Sequence, residues 1–155
     1  MWWRRLRYVL LLAALCAIAT CPSARRACTS STRAQEADDL LAYLVDRVAT
    51  TYTATGKLPP TPAGPTPSSP CCEQGGACAP DPATWSAPGW RELGFTIDAP
   101  YRYAYQYVPD PSGISAVLRA TGDLDCDGVP AVHEVKLTVA AGRLLQTWSR
   151  AHATE

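Results

Sequence analysis

The sequence predicts an α+β domain in which an N-terminal amphipathic helix packs on an antiparallel β-sheet, with a long loop rich in proline and cysteine between them. Two changes of period carry that expectation. Apolar residues recur at intervals of three and four from Leu41 to Tyr52, and from Phe95 onward the alternation shortens to two. Between these segments proline and glycine are too frequent for a helix or a central strand. A chain of 155 residues has room for one such domain.

The chain opens with "MWWRRLR", a basic stretch, followed by the uncharged apolar run "YVLLLAALCAIAT" from Tyr8 to Thr20. This is the pattern of an export signal over residues 1–21. As a helix the run reaches only ~20 Å, short of the ~30 Å hydrocarbon core, so a retained membrane anchor is the second reading. "IATC", Ile18 to Cys21, approaches a bacterial lipobox with Cys21 as the lipid site, although Thr20 stands where a smaller residue is usual. Any membrane contact is thus expected through this segment or a lipid. The seven cysteines fit an oxidising compartment, which places the protein in the periplasm, cell envelope or medium. After cleavage near Cys21 or Ala24, five remain (Cys28, Cys71, Cys72, Cys78 and Cys126), and Cys28 is the expected odd thiol.

The helix is expected over residues 32–56. "TRAQ" offers a capping box through Thr32 and Gln35, and Leu41, Leu44, Val45, Val48 and Tyr52 form one apolar stripe for core packing. Gly56, then Pro59 and Pro60, should end it. Residues 57–90 read as a loop stapled by Cys71, Cys72 and Cys78, with Trp85 and Trp90 folding its end onto the core and their indole N–H groups needing partners there.

Residues 91–139 read as an antiparallel meander. In "YRYAYQYV" Tyr101, Tyr103, Tyr105 and Tyr107 share one face of a strand, expected to cover the helix rather than to form a carbohydrate or peptide platform. "ISAVLRA" from Ile114 is the second strand and "HEVKLTV" the third, with Val135, Leu137 and Val139 on one side. Residues 140–155 form a C-terminal extension in which "AGRLLQTW" suits a hairpin strand or a short helix equally.

"GDLDCDGVPAVHEV" joins the last two strands. Asp123, Asp125, Asp127, Gly128 and Glu134 match the EF-hand spacing letter by letter, yet an EF-hand needs helices on both sides and both flanks here read as strand. A β-turn held by its own Asp side chains is the first reading, with Gly128 free to take a positive φ. Weak Ca²⁺ binding by Asp123, Asp125, Asp127 and Glu134 is the second, because crowded carboxylates repel unless hydrogen-bonded or paired with a cation. Cys126 is expected to pair with a loop cysteine; the four cysteines Cys71, Cys72, Cys78 and Cys126 allow three connectivities.

The succession of helix, "GKLP", a Pro-rich loop with "CC" and "CAP", "LGFTIDAPYRYAYQYV" and "TGDLDCDGVPAVHEV" resembles the globular domains of bacterial type IV pilin-like and minor pilin-like proteins. The likeness covers residues 30 to 139. Its more specific part is the aromatic strand with "GDLDCDG". The resemblance implies a pilin-like αβ-roll, an envelope location, and other pilin-like or secretion-system subunits as partners. In type II secretion pseudopilins the corresponding turn is sometimes a calcium site. Between Met1 and Ala34 the chain departs from the prepilin leader pattern, which implies a soluble or lipid-anchored relative or, alternatively, an apolar run that is a degenerate remnant of the pilin helix.

Three function classes follow: a structural or interaction protein of a type IV pilus or secretion pseudopilus, which leads; an exported ligand- or calcium-binding module; and an enzyme. The third is the least supported. His133 and His152 are the two histidines, neither G-x-S-x-G nor H-E-x-x-H occurs, and His133 beside the acidic turn reads as a surface or turn residue. Lys and Arg balance Asp and Glu at 14 each, so no basic footprint for nucleic acid is present.

Overall fold

The computed structural model describes residues 22–152, with side chains in the first helix from residue 33 on. The expected export segment and the expected lipid site at Cys21 lie outside what is described, as does the side chain of Cys28, the expected odd thiol. Helix α1 runs Pro22–Thr55, strand β1 Ala63–Thr66, helix α2 Pro88–Leu93, β2 Ala104–Pro109, β3 Ser115–Gly122, β4 Ala131–Ala140 and β5 Arg143–Ala151. The strands form one antiparallel sheet in the order β1-β2-β3-β4-β5.

Helix α1 starts ten residues before the expected Thr32, and its backbone passes through Thr32 without a break, so no capping box operates there. It ends as expected. The Gly56 N–H donates to the Tyr52 carbonyl at 2.7 Å, and Pro59 and Pro60 follow. The stripe of Ala37, Leu41, Leu44, Val45 and Val48 is buried against the sheet. The sheet answers with Tyr105 and Tyr107 of β2, Ala116, Leu118 and Ala120 of β3, and Val135 and Leu137 of β4, all of them buried. Strand alternation puts these residues on one face, as the period of two requires.

Tyr101, Tyr103, Tyr105 and Tyr107 all lie inside. β2 proper begins at Ala104; Tyr101 instead forms a lone bridge with Cys78, each donating its N–H to the other's carbonyl. The Tyr107 hydroxyl donates to the Pro59 carbonyl at 2.8 Å, whereas the Tyr103 and Tyr105 hydroxyls have no partner among the described residues.

The 57–90 segment carries more structure than a loop. Its "AGPT" becomes β1, pairing with β2 at the sheet edge, where the missing N–H of Pro65 is tolerated. Trp85 and Trp90 are buried in an aromatic cluster with Phe95 and Tyr101 at centroid distances of 5.2 to 5.6 Å. The Trp90 indole N–H donates to Thr66 Oγ1 at 2.8 Å, which ties α2 to β1; that of Trp85 is unpartnered among the described residues. The C-terminal extension is a full strand, β5, so the meander has five strands rather than three or four.

Gly94 closes α2 at φ +61°, and a Cβ there would come within 2.2 Å of an Arg47 guanidinium nitrogen. Arg47 in turn donates from Nε to the Leu93 carbonyl at 3.0 Å, strapping α1 to the end of α2. Gly94→Ala therefore adds left-handed strain and displaces the strap; a loss of about 1–2 kcal/mol is expected in urea unfolding. The buried tyrosines generate a second expectation. Burial, reinforced by the Glu36 and Asp38 carboxylates, pushes Tyr103 up to about 12, and burial also holds Tyr105 and Tyr107 well above the ordinary phenol value. A raised folded-state value means the unfolded chain sheds these protons first. The associated stability is complete below pH ~10 and is lost as pH rises through ~10 toward the folded values. Phenolate absorbance should accordingly rise in one cooperative step with unfolding above that pH, and independent titration of these tyrosines in a folded protein would contradict the packing.

Candidate functional site

The β3–β4 connection folds around one carboxylate. Asp123 Oδ1 accepts the N–H groups of Cys126 at 2.8 Å and Asp127 at 3.2 Å, and Oδ2 accepts that of Gly128 at 2.9 Å. Asp127 Oδ1 accepts the Val129 N–H at 2.7 Å. The side chains do here what the sheet cannot, satisfying backbone donors where the ladder is interrupted. Gly128 takes φ +91° and Cys126 φ +67°, the latter a conformation that a residue with a Cβ adopts only when held. Both flanks are strands, so the loop has no EF-hand frame.

Two bridges are formed, one of which holds the connection to the rest. Cys71 bonds Cys78, and Cys72 bonds Cys126, with Cα atoms 4.8 and 5.6 Å apart. The first, with both cysteines buried, closes a short and mostly exposed loop; the second ties the 57–90 segment to the acidic turn across 54 residues of chain. Two disulfides fit a non-cytoplasmic compartment. No described helix is long and apolar enough to cross a membrane.

Asp123, Asp125 and Asp127 bring ligand atoms within 4.8 Å of one another. Glu134 does not join them. It lies on β4 facing Arg119 of β3, whose Nη2 donates to Glu134 Oε2 at 2.6 Å, a cross-strand ion pair that the EF-hand spacing conceals.

His133 is not a surface residue. It is fully buried, and its Nδ1 stands 2.9 Å from Asp38 Oδ1 while its Nε2 has no partner among the described residues. Its ring meets Tyr103 edge to face at 5.6 Å. Asp38 also accepts from Arg150 of β5, Nη2 to Oδ2 at 2.8 Å and Nε to Oδ1 at 3.2 Å. Two residues earlier on α1, Glu36 accepts the Arg102 backbone N–H and its guanidinium, both at 2.6 Å. Strand parity was the available signal: His133 alternates with Val135 and Leu137 and so shares the inner face. Asp38, Arg150 and Glu36 carried no such signal, because their partners lie 66 to 112 residues away.

Beside this cluster an open groove runs between α1 and residues 96–100, lined by Glu36, Asp39, Leu40, Tyr43, Ile97 and Asp98. Tyr43 is partly exposed there and stacks at 5.2 Å on Phe95. The described residues thus offer three polar features: an acidic turn, an acidic groove, and a His–Asp–Arg cluster in which His133 is buried while Asp38 and Arg150 stay partly exposed. Compared with known protein families, with curated proteins and with solved structures, the chain shows no match in any of the three.

Asp123 receives three backbone hydrogen bonds and Asp125 none. Asp123→Ala is therefore expected to destabilise the fold by about 1–3 kcal/mol, and Asp125→Ala to leave it within about 0.5 kcal/mol. Paired denaturant titrations check this. Equal losses from the two substitutions would mean that the turn is held by something other than Asp123.

Proposed function

We propose that this chain is a non-enzymatic, pilin-like protein of the bacterial envelope, exported and disulfide-stapled, that acts through surface contacts in a type IV pilus or a type II secretion-like pseudopilus. The observation that carries the reading is the fate of the tyrosine strand. Its four rings lie in the core that the helix and the sheet share instead of facing solvent, so the aromatic residues serve the packing of the domain. That leaves the partly exposed groove around Tyr43, Asp39 and Asp98 as a surface for a protein neighbour. The two bridges support residence in an oxidising compartment, and the resemblance of "YRYAYQYV" and "GDLDCDG" to pilin-like domains supports the envelope assembly.

A second reading, an exported calcium-binding module, is favoured by one observation, the convergence of Asp123, Asp125 and Asp127. The donor set is thin for it. Ca²⁺ takes about six to eight oxygens, whereas Asp123 has committed three of its roughly four acceptor sites to backbone N–H groups. Glu134, which would have supplied the bidentate ligand, is paired with Arg119.

The two readings separate in one experiment. A photo-crosslinking residue at position 43, introduced into the chain in its native envelope, is expected to capture a subunit of a filament or secretion assembly. Recovery of an uncrosslinked chain whose melting temperature rises with added Ca²⁺ would overturn the contact role in favour of the second reading.

A further inference from the structure

The two bridges stand in different surroundings, although Cys71 and Cys72 are adjacent. On the short 3₁₀ turn Cys71–Gln74, Cys71 belongs to the core at 4% exposure while Cys72 is partly exposed. Their partners repeat the difference. Cys78 is 2% exposed, and two backbone hydrogen bonds lock it to Tyr101, which packs edge-on against Trp85. Cys126 is exposed. Exchange requires a thiolate to reach a bridge sulfur, so access decides which bridge a thiol can open. Nor does the exposed bridge hold its own two ends in shape. Asp123 fixes the acidic turn by accepting the N–H groups of Cys126, Asp127 and Gly128, and the Cys71–Cys78 bridge anchors the turn that carries Cys72.

We propose that Cys72–Cys126 is a site of reversible thiol–disulfide exchange, opened by a dithiol on a positively charged carrier while Cys71–Cys78 stays closed. One thiolate of the dithiol attacks Cys126 Sγ, on the more exposed residue of the pair, and forms a mixed disulfide there; Cys72 leaves as a thiolate and takes up a proton. The second thiol of the carrier attacks its own sulfur in that mixed disulfide and releases Cys126. The carrier ends as an internal disulfide and the protein as two thiols, so two electrons and two protons have moved. Charge selects the carrier. Glu73 follows Cys72, Asp125 and Asp127 flank Cys126, and among the described residues the one cation hydrogen-bonded to the turn, Arg33, is committed to the Leu124 carbonyl. An attacking thiolate is itself an anion, so these carboxylates repel it unless its carrier brings positive charge. Opening the bridge cuts the covalent tie between the 57–90 segment and the β3–β4 connection and leaves both ends otherwise held.

The test uses the full oxidised chain with any free thiols blocked by a first alkylating agent. Graded reduction by dithiothreitol, a second alkylating agent of different mass and peptide mass spectrometry should show Cys72 and Cys126 labelled ~tenfold or more faster than Cys71 and Cys78. Circular dichroism should stay that of the folded chain. Equal rates, earlier opening of Cys71–Cys78, or unfolding as Cys72–Cys126 opens overturns the exchange site. Cysteamine and mercaptoethanesulfonate, a cationic and an anionic monothiol compared per thiolate at low salt, then probe the charge. The ratio of their rates should be ~threefold or more higher in the wild-type chain than in the Asp125→Asn/Asp127→Asn chain, and the difference should fade at ~1 M salt. A ratio that the two substitutions leave unchanged overturns the positively charged carrier.

Discussion

The structure depends on the docking of α1 onto the tyrosine face of the sheet. Ala37 sits against the sheet with Glu36 and Asp38 on either side of it, and each carboxylate is gripped by an arginine from a different part of the meander. Arg102 precedes β2; Arg150 lies near the end of β5. Magnitudes assign the two kinds of contact different work. Each buried leucine or valine of the stripe contributes about 1.5–3 kcal/mol relative to exposure. The partly exposed ion pairs contribute up to about 1 kcal/mol apiece. Affinity of helix for sheet is therefore apolar, while the clamps around Ala37 choose which turn of the helix meets which strand.

His133 sharpens that choice. An imidazole buried on a strand face needs a partner, and Asp38 supplies one only when the helix is in register, since a shift of one turn would leave Nδ1 facing hydrocarbon. The same helix reaches the acidic turn through Arg33, whose guanidinium donates to the Leu124 carbonyl at 2.9 Å. Turn, bridge and helix thus form one connected unit. Cys126 in its left-handed conformation is fixed by the Asp123 carboxylate on one side and by Cys72 on the other.

Most of this fold was legible because it rests on periodicity. The stripe from Leu41 to Tyr52, the tyrosine alternation and the strands around "GDLDCDG" each state their own conformation locally. What was illegible depended on distant partners. "AGPT" is a strand only because β2 offers an edge that tolerates Pro65, and the local sequence argues against it. Glu134 satisfied a metal-ligand spacing, but spacing is blind to Arg119 directly across the ladder. His133 is a different kind of miss, for its parity with Val135 and Leu137 already pointed inward, and its polarity drew the reading outward. The disulfide partners of Cys71 and Cys72 were open in principle: adjacent cysteines on a tight turn point in different directions, and only the fold says which direction holds Cys126.

Burial of the aromatic strand also bears on how such a small domain presents itself. Tyrosine and tryptophan are the residues that most often anchor an interface, and here Tyr101, Tyr103, Tyr105, Tyr107, Trp85 and Trp90 are consumed by the core. Among the described residues, the exposed anchors that remain are Tyr43 on the helix, at the acidic groove, and Trp148 on β5, at the open edge. These sit on opposite flanks of the α1–sheet contact and differ in charge, one ringed by Asp39 and Asp98, the other flanked by Arg143 and Arg150.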